Sequence, residues 1–266
     1  MLVEYSIPKS TPIPMCELLY DASHVLIGGT TGSGKSVLID DYIYSLLGYK
    51  MPFKNSSNSV QFVLIDPKKV SLVKYRTLPH TIRYATENNE IIDALDYVIE
   101  TMDARYNEMA QFGMVKWEGT SIIVIIDELA DLMVTYQKQI MPRLQRIAQL
   151  GRASAIKLVC ATQCPNRIVV PAELTVNFTG RVALRCLDKI ESKQIIKRNG
   201  AESLPMHGKA LYLHSDSKYY ELNVPLLSDA KIQERIDMWL SQTPQELINQ
   251  RLGIFRKKKK FSIFNR

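Results

Sequence analysis

One stretch of the chain has the residue types and the spacing that a phosphate-binding loop requires. Residues 29–36 read GTTGSGKS, which matches the pattern G-x-x-x-x-G-K-[ST] in full. Glycines let such a loop turn so that successive backbone N–H groups point at phosphate oxygens. We therefore predict a nucleotide site and assign its contacts to Gly29, Thr30, Thr31, Gly32, Ser33, Gly34, Lys35, Ser36 and Val37.

The flanking sequence supplies the structural context that this motif needs. Residues 24–28 form a short apolar run typical of a buried strand, and residues 35–47 carry apolar side chains at helical spacing. The positive end of that helix dipole would face the phosphates. In this arrangement we expect Lys35 to reach the β- and γ-phosphates of ATP and the Ser36 hydroxyl to bind Mg²⁺.

Two adjacent acids end the strongest strand pattern of the chain. Residues 121–127 read SIIVIID, and Glu128 follows. A carboxylate at the C-terminal end of a central strand sits where α/β sheets bind ligands. We expect Asp127 to hold Mg²⁺ through water and Glu128 to orient and deprotonate the water that attacks the γ-phosphate. The alternative is a pair of solvated acids at a helix start, where acids are favoured in any protein.

Gln163 and Arg152 are further candidates for a role in catalysis. Gln163 ends the strand pattern of residues 157–162, so it could sense the γ-phosphate, and the alternative is a polar strand end. Arg152 follows a helical pattern that Gly151 closes. It could neutralise transition-state charge in a neighbouring subunit, or it could stabilise the negative end of its own helix.

The remaining elements define the scaffold that must position these residues. Strand patterns occur at residues 61–66, 181–186, 209–214 and 219–224, and the last two suggest a terminal hairpin. Helical patterns occur at residues 87–112, 139–151 and 228–252. Strands that alternate with helices and consist of continuous apolar runs indicate a parallel sheet covered on both faces. The sequence therefore predicts an α/β fold with a mainly parallel central sheet flanked by helices.

Length and composition exclude several other classes of protein. The 266 residues suffice for one large α/β domain, and no run of eighteen apolar residues suggests a spanning helix. Residues 1–9 have no apolar core of a signal peptide, so we expect a cytoplasmic location. The four cysteines do not have the spacing of a zinc site, which favours buried free thiols.

The net charge of +7 is concentrated at the C-terminus. The last sixteen residues hold seven cations and no acid, so residues 1–250 are neutral as a group. We divide the chain into a short N-terminal segment at 1–22, an ATPase domain at 23–252 and a basic tail at 253–266. The tail interleaves phenylalanines with cations and could bind DNA phosphates, an anionic membrane surface or nothing specific. Our candidates for DNA contact in the tail are Arg256, Lys257, Lys258, Lys259 and Lys260, and Arg266 is its sixth cation.

Six blocks of sequence together resemble the motor domain of the FtsK/SpoIIIE family of double-stranded DNA translocases. They occur in the family's order over residues 24–213: HVLIGGTTGSGKSVLID, IDPKKV, IIVIIDELADLM, GRASAIKLVCATQCP, GRVALRCLDKIESKQII and NGAESLPMHGKALYL. The resemblance implies a RecA-like P-loop NTPase fold and a hexameric ring around duplex DNA. It also implies that Lys35 and Ser36 bind nucleotide and Mg²⁺, that Asp127 and Glu128 are the hydrolytic acids, that Gln163 is the sensor and that Arg152 is the arginine finger. Arg181 and Lys189 match blocks near the subunit interface.

The chain also departs from the family pattern. Cys164 stands where an arginine commonly follows the ATQ triplet, and Lys209 replaces the usual acid after residues 207–208. The stretch between the loop and Asp127 is shorter than in the large members, and about twenty residues precede the motor. We therefore expect a minimal member from a plasmid, conjugative element or phage, acting in DNA transfer, segregation or packaging.

Contacts with DNA are harder to assign from sequence. A ring motor should touch the DNA backbone, since it must move over any sequence. Arg167, in the loop after the sensor strand, and Lys138, ten residues beyond Glu128, are our candidates. The alternatives are a single-strand helicase or packaging ATPase, for which we would expect aromatic stacking platforms, and a non-motor ATP-gated protein that binds DNA or a membrane.

Overall fold

A central sheet of eight strands organises the part of the chain that the structure describes. A computed structural model describes residues 19, 21–50, 58–244 and 248. The strands lie in the order β3-β2-β4-β5-β1-β6-β7-β8. Strands β1 to β6 pair with one another in parallel, and β7 and β8 form a hairpin whose strand β7 pairs antiparallel with β6 at one edge. Their bounds are β1 Val25–Gly28, β2 Val60–Ile65, β3 Thr81–Ala85, β4 Ser121–Ile126, β5 Ile156–Thr162, β6 Gly180–Ala183, β7 Lys209–Leu213 and β8 Tyr219–Asn223.

Helices cover both faces of this sheet. The helices α1 (Lys35–Tyr49) and α6 (Asp229–Ser241) share one apolar cluster with the sheet, and α2 (Asn88–Phe112) and α3 (Leu129–Leu150) share the other. The short helices α4 (Ala172–Thr175) and α5 (Lys189–Ile196) flank β6 in the chain. Because the central strands are buried on both sides, they consist of continuous apolar runs rather than an alternating pattern.

The predicted fold class is confirmed, and the structure corrects some predicted elements. Helix α3 is longer than the predicted 139–151, because Glu128 caps a helix that begins at Leu129. A non-helical Tyr136 kinks it, and Pro142 lies inside it. Strand β3 was not predicted, because its residues TIRYA do not form a continuous apolar run. Strand β6 ends at Ala183, earlier than the predicted 186.

The boundaries of the three predicted segments stay predictions. Most of residues 1–22 and all of the tail at 253–266 lie outside the described residues. The same holds for the tail cations Arg256, Lys257, Lys258, Lys259 and Lys260. Among the residues that the structure describes, no helix has the length and the apolarity needed to cross a membrane.

A buried histidine joins the start of β1 to β5. The ring nitrogen Nδ1 of His24 accepts a hydrogen bond of 2.9 Å from the backbone N–H of Leu158, and the side chain is 1% exposed. Burial lowers the pKa of His24 to about 4, and the charge of Lys157 acts in the same direction. The folded protein therefore holds this ring neutral at pH values where the unfolded chain protonates it.

This difference predicts a loss of stability in mild acid. Since the unfolded state binds the extra proton below about pH 6.5, the free energy of unfolding falls as the pH falls. From this ring alone we expect the free energy of unfolding to fall by about 2 kcal/mol between about pH 7.5 and pH 5. His24→Asn keeps an acceptor for the Leu158 N–H but does not titrate, so urea unfolding of the variant should show a pH dependence smaller by that amount. Equal losses in the two proteins would contradict the prediction.

Candidate active site

The loop between β1 and α1 has a backbone that favours glycine. Gly29, Gly32 and Gly34 have φ values of 157°, 76° and 103°, which other residues rarely adopt. A Cβ atom at Gly29 would lie 2.7 Å from the Oγ of Ser33 and 3.0 Å from the Cβ of Leu184. The glycines of the motif are therefore required by the backbone path and, at Gly29, by close packing.

The start of α1 is left open towards this loop. Gly34 is the N-cap residue and makes no side-chain cap, and no acid lies in the first turn. The loop itself is anchored to the segment that follows the neighbouring strand β6, since the N–H of Thr30 donates to the carbonyl of Arg185 at 2.8 Å. A fixed loop beside an uncapped helix N-terminus is suited to binding an anion.

Lys35 lies beneath the loop with its ammonium group buried. The side chain is 8% exposed, and Nζ donates to the carbonyls of Gly29 at 2.7 Å and Thr30 at 2.9 Å. Burial lowers the pKa of Lys35, while the carboxylates of Glu128 and Asp127 act to raise it. The lysine therefore lies in the loop, in the electrostatic field of both predicted acids.

Asp127 follows β4 directly and lies close to three other oxygen-bearing side chains. Burial raises the pKa of Asp127, and the carboxylates of Asp66 and Glu128 act in the same direction, whereas a hydrogen bond from Ser71 opposes them. The Oγ of Ser71 is also 3.5 Å from the Oγ of Ser36. The two residues predicted to bind a metal, Ser36 and Asp127, thus lie on either side of Ser71.

Glu128 is 3% exposed, and its carboxylate is held by two backbone groups. It accepts from the N–H of Ala130 at 3.3 Å, as the N-cap of α3, and from the N–H of Gln163 at 3.1 Å. The side-chain Oε1 of Gln163 in turn accepts from the hydroxyl of Thr31 at 2.5 Å. A chain of hydrogen bonds therefore connects the predicted base, through the predicted sensor, to the phosphate loop.

The segment after β2 contributes residues that the sequence did not identify as part of the site. Asp66 is fully buried and accepts from the N–H of Leu72 at 2.9 Å, which shapes the turn that carries Ser71. Lys68 forms an ion pair of 3.3 Å with Asp131 in the first turn of α3. The sequence signal that could have identified these residues is their position just after a predicted strand, where parallel sheets bind ligands.

Arg152 lies at the end of the sheet where the parallel strands begin, whereas the loop lies at the end where they finish. It precedes β5, whereas Gln163 follows β5, and the seven residues of this strand span about 20 Å. The Arg152 side chain is exposed. Within its own subunit it is therefore too far from the loop to contact a nucleotide there. Its place directly after α3 also fits the alternative of stabilising that helix end.

The two candidates for DNA contact lie in different places. Arg167 lines a cavity of about 680 Å³, together with Arg181, Lys193 and Lys197, and no acid lines it. Arg181 is buried, and its guanidinium donates to the carbonyls of Phe178 and Thr175, which indicates a structural role. Lys138 is exposed on α3 and does not line this cavity.

Solved structures of P-loop ATPases share this fold. The conjugation coupling protein TcpA of pCW3, solved as a monomer with ATPγS, superposes with a TM-score of 0.71 over 83% of this chain and 66% of its own, at 22% identity. The cytoplasmic domain of the type VII secretion ATPase EccC of Thermomonospora curvata gives a TM-score of 0.66 over 80% of this chain and 28% of its own, at 20% identity. At these identities the likeness concerns the fold alone.

Sequence comparison is more specific. DNA translocase FtsK of Helicobacter pylori is 35% identical over 238 residues, which are 84% of this chain and 28% of the relative. DNA translocase FtsK of Campylobacter jejuni is also 35% identical, over 84% of this chain and 25% of the relative. The chain thus spans about a quarter of the length of these curated relatives. The model of the FtsK/SpoIIIE family matches residues 8–121 and 114–167, and the chain, with its P-loop ATPase fold, belongs to this family.

Proposed function

We propose that this chain is an ATP-driven motor that moves double-stranded DNA in the transfer, segregation or packaging of a mobile element. The observation that carries the proposal is the hydrogen-bonded connection from Glu128 through Gln163 to Thr31 of the phosphate loop. A motor must couple loss of the γ-phosphate to movement, and this connection joins the base to the group that holds the phosphate. The relatives named DNA translocase FtsK support the choice of substrate.

ATP binds through the loop at residues 29–36 and the N-terminus of α1, including the N–H of Val37. Lys35 Nζ now donates to the carbonyls of Gly29 and Thr30, and these bonds are exchanged for bonds to the β- and γ-phosphates when ATP binds. Because the ammonium is already buried at the loop, little reorganisation precedes this exchange.

The oxygen donors beside the loop fit Mg²⁺, which prefers hydroxyl, carboxylate and water ligands. Ser36 would hold the ion directly and Asp127 through water, and Ser71 is placed to orient both side chains. When bound, Mg²⁺ supplies positive charge to the β- and γ-phosphate oxygens. Burial raises the pKa of Asp127 and the carboxylates of Asp66 and Glu128 raise it further, and the negative charge of these three groups favours a cation at the site.

Glu128 is the general base of the reaction. It orients a water in line with the γ-phosphorus and takes its proton as the new P–O bond forms, and the bond from the γ-phosphorus to the β,γ-bridging oxygen breaks to release ADP. Gln163, bonded to the Glu128 carboxylate through its backbone N–H, senses the γ-phosphate through its side chain and Thr31.

Arg152 acts on the nucleotide of a neighbouring subunit. It is too far from its own loop and it is exposed, which suits a residue that completes an adjacent site in a homo-hexameric ring. A trans-acting arginine stabilises the negative charge of the transition state, so the single subunit lacks part of its catalytic machinery.

The duplex is held by its phosphates rather than its base edges. Arg167, in the loop that follows β5, offers a positive surface together with Lys193 and Lys197, which line the same cavity. Lys138 on α3 offers a second contact, and the basic tail offers a further one to DNA or to an anionic membrane.

Replacing Gly29 by alanine should weaken nucleotide binding. The new Cβ meets Ser33 and Leu184, and the positive φ adds strain of about 1–3 kcal/mol, so we expect at least tenfold weaker binding of a fluorescent ATP analogue. Gly113→Ala is the matched control, because Gly113 has a φ of 66° and nothing within 4 Å of the added Cβ. Equal affinity of the Gly29→Ala variant and wild type would contradict the assignment of the loop.

Steady-state ATP hydrolysis with and without long duplex DNA tests the proposed motor. Wild type should be stimulated by duplex, Lys35→Ala should be inactive, and Glu128→Gln should bind ATP but hydrolyse it about 10²–10⁴-fold more slowly. Lys231→Ala, which removes an exposed lysine on α6, is the control and should behave as wild type.

Three other outcomes would each contradict part of the proposal. Stimulation of ATP hydrolysis by single-stranded DNA alone would indicate a helicase or a packaging ATPase that acts on single strands. A slow rate that neither DNA changes, in protein shown to be assembled, would indicate a non-motor binding protein. Full activity of Glu128→Gln would reject this residue as the base.

A further inference from the structure

The turn that carries Arg152, residues 151–155, is fixed through its backbone. It connects α3 to β5, and each of its five carbonyl groups accepts a hydrogen bond. The donors are, in order, the N–H groups of Ile156, Ala155 and Trp117, the guanidinium of Arg105 and the N–H of Ile122. A surface turn normally leaves some of these groups to water, so this one is unusually well determined.

Besides Ile122 of β4, Arg105 and Trp117 provide the contacts that come from outside the turn and the strand β5 that follows it. Arg105, on α2, is 7% exposed and donates to the carbonyl of Ser154 at 2.6 Å and to that of Thr120 at 2.8 Å. Its guanidinium lies 5.0 Å from the centre of the Trp117 ring, and the Trp117 N–H donates to Ala153 at 2.7 Å. Burial lowers the pKa of Arg105 to about 10, which reflects the cost of placing a cation here.

The turn stores backbone strain while leaving one side chain exposed. Ala155 has a φ of 53°, in the left-handed region that is strained for a residue with a Cβ. Such a conformation persists only where the surroundings over-determine it. The Arg152 side chain is exposed, and no hydrogen-bonding partner is found for it in the described part of the chain.

We propose that Arg105 and Trp117 are positioning residues that clamp the turn at residues 151–155, so that Arg152 is presented in one geometry to the nucleotide of the adjacent subunit. This inference rests on the proposed trans role of Arg152 and extends it to residues that lie in a different helix and loop. Arginine suits the clamp because its planar fork donates to two carbonyls at once, which a lysine does not do with the same geometry.

The first test compares Arg105→Lys with wild type. The variant keeps the charge but loses the fork, and we expect kcat to fall about 10- to 100-fold, the size of effect that a misplacement of about 1 Å produces. The KM for ATP, the size of the assembly and the thermal midpoint should change little. Arg143→Lys is the matched control, since Arg143 pairs with Asp96 between α3 and α2 but does not contact the turn.

The second test asks whether the loss of activity in Arg105→Lys occurs at the nucleotide site of the adjacent subunit. Arg105→Lys subunits mixed with Glu128→Gln subunits should hydrolyse ATP faster than the sum of the two separate proteins, because Glu128→Gln subunits keep an intact clamp and supply Arg152 to sites with an intact base. Trp117→Phe, which keeps the N–H of the backbone but weakens the ring contact, should show a smaller defect with the same rescue.

The outcomes separate this proposal from the one on which it rests. Normal activity of Arg105→Lys, or a loss that mixing does not rescue, would overturn the clamp. If Arg152→Ala alone keeps full activity, then the trans role of Arg152 fails as well. If Arg152→Ala is inactive while Arg105→Lys is normal, then only the clamp fails.

Discussion

The site depends on burial of the Lys35 ammonium group beneath its own loop. Two neutral carbonyls hold this charge, and the carboxylates of Asp127 and Glu128 lie close enough to stabilise it. An isolated buried ammonium would be costly, so the loop, the acids and the lysine must assemble together. The glycines with positive φ allow the loop to turn so that its carbonyls reach the Nζ of Lys35. The backbone path of the loop and the stabilisation of the buried charge therefore depend on each other.

Sheet order determines which residues can communicate. Because β5 lies between β1 and β4, the residue that ends β5 is next to both the phosphate loop and the acidic pair. Gln163, directly after β5, contacts both sites: its backbone N–H donates a hydrogen bond to Glu128, and its side chain accepts one from Thr31. Because the three strands are adjacent and buried on both faces, the sheet itself holds the partners of both contacts close together.

Much of this architecture could be predicted from the sequence, for physical reasons. The central strands are continuous apolar runs, and the motif residues follow them directly, so the C-terminal edge of the sheet was identifiable. The contributions of Ser71 and Lys68 were not, because they lie in an irregular segment whose path depends on the buried carboxylate of Asp66. The kinked helix α3 was predicted too short, since the break at Tyr136 interrupts its period. Arg105 was also missed, because a single arginine in a long helix carries no sequence signal for burial.

The departure at Cys164 has a practical consequence. Among the cysteines that the structure describes, Cys160 and Cys186 are buried and Cys164 is exposed. Burial raises the pKa of the Cys186 thiol to about 12 and that of Cys160 still further, so both resist conversion to the reactive thiolate. Cys164 directly follows Gln163, and its N–H is tied to the hydroxyl of Thr162 at 3.1 Å. The exposed thiol of Cys164 is therefore a natural attachment point for a fluorophore or spin label beside Gln163, the proposed γ-phosphate sensor.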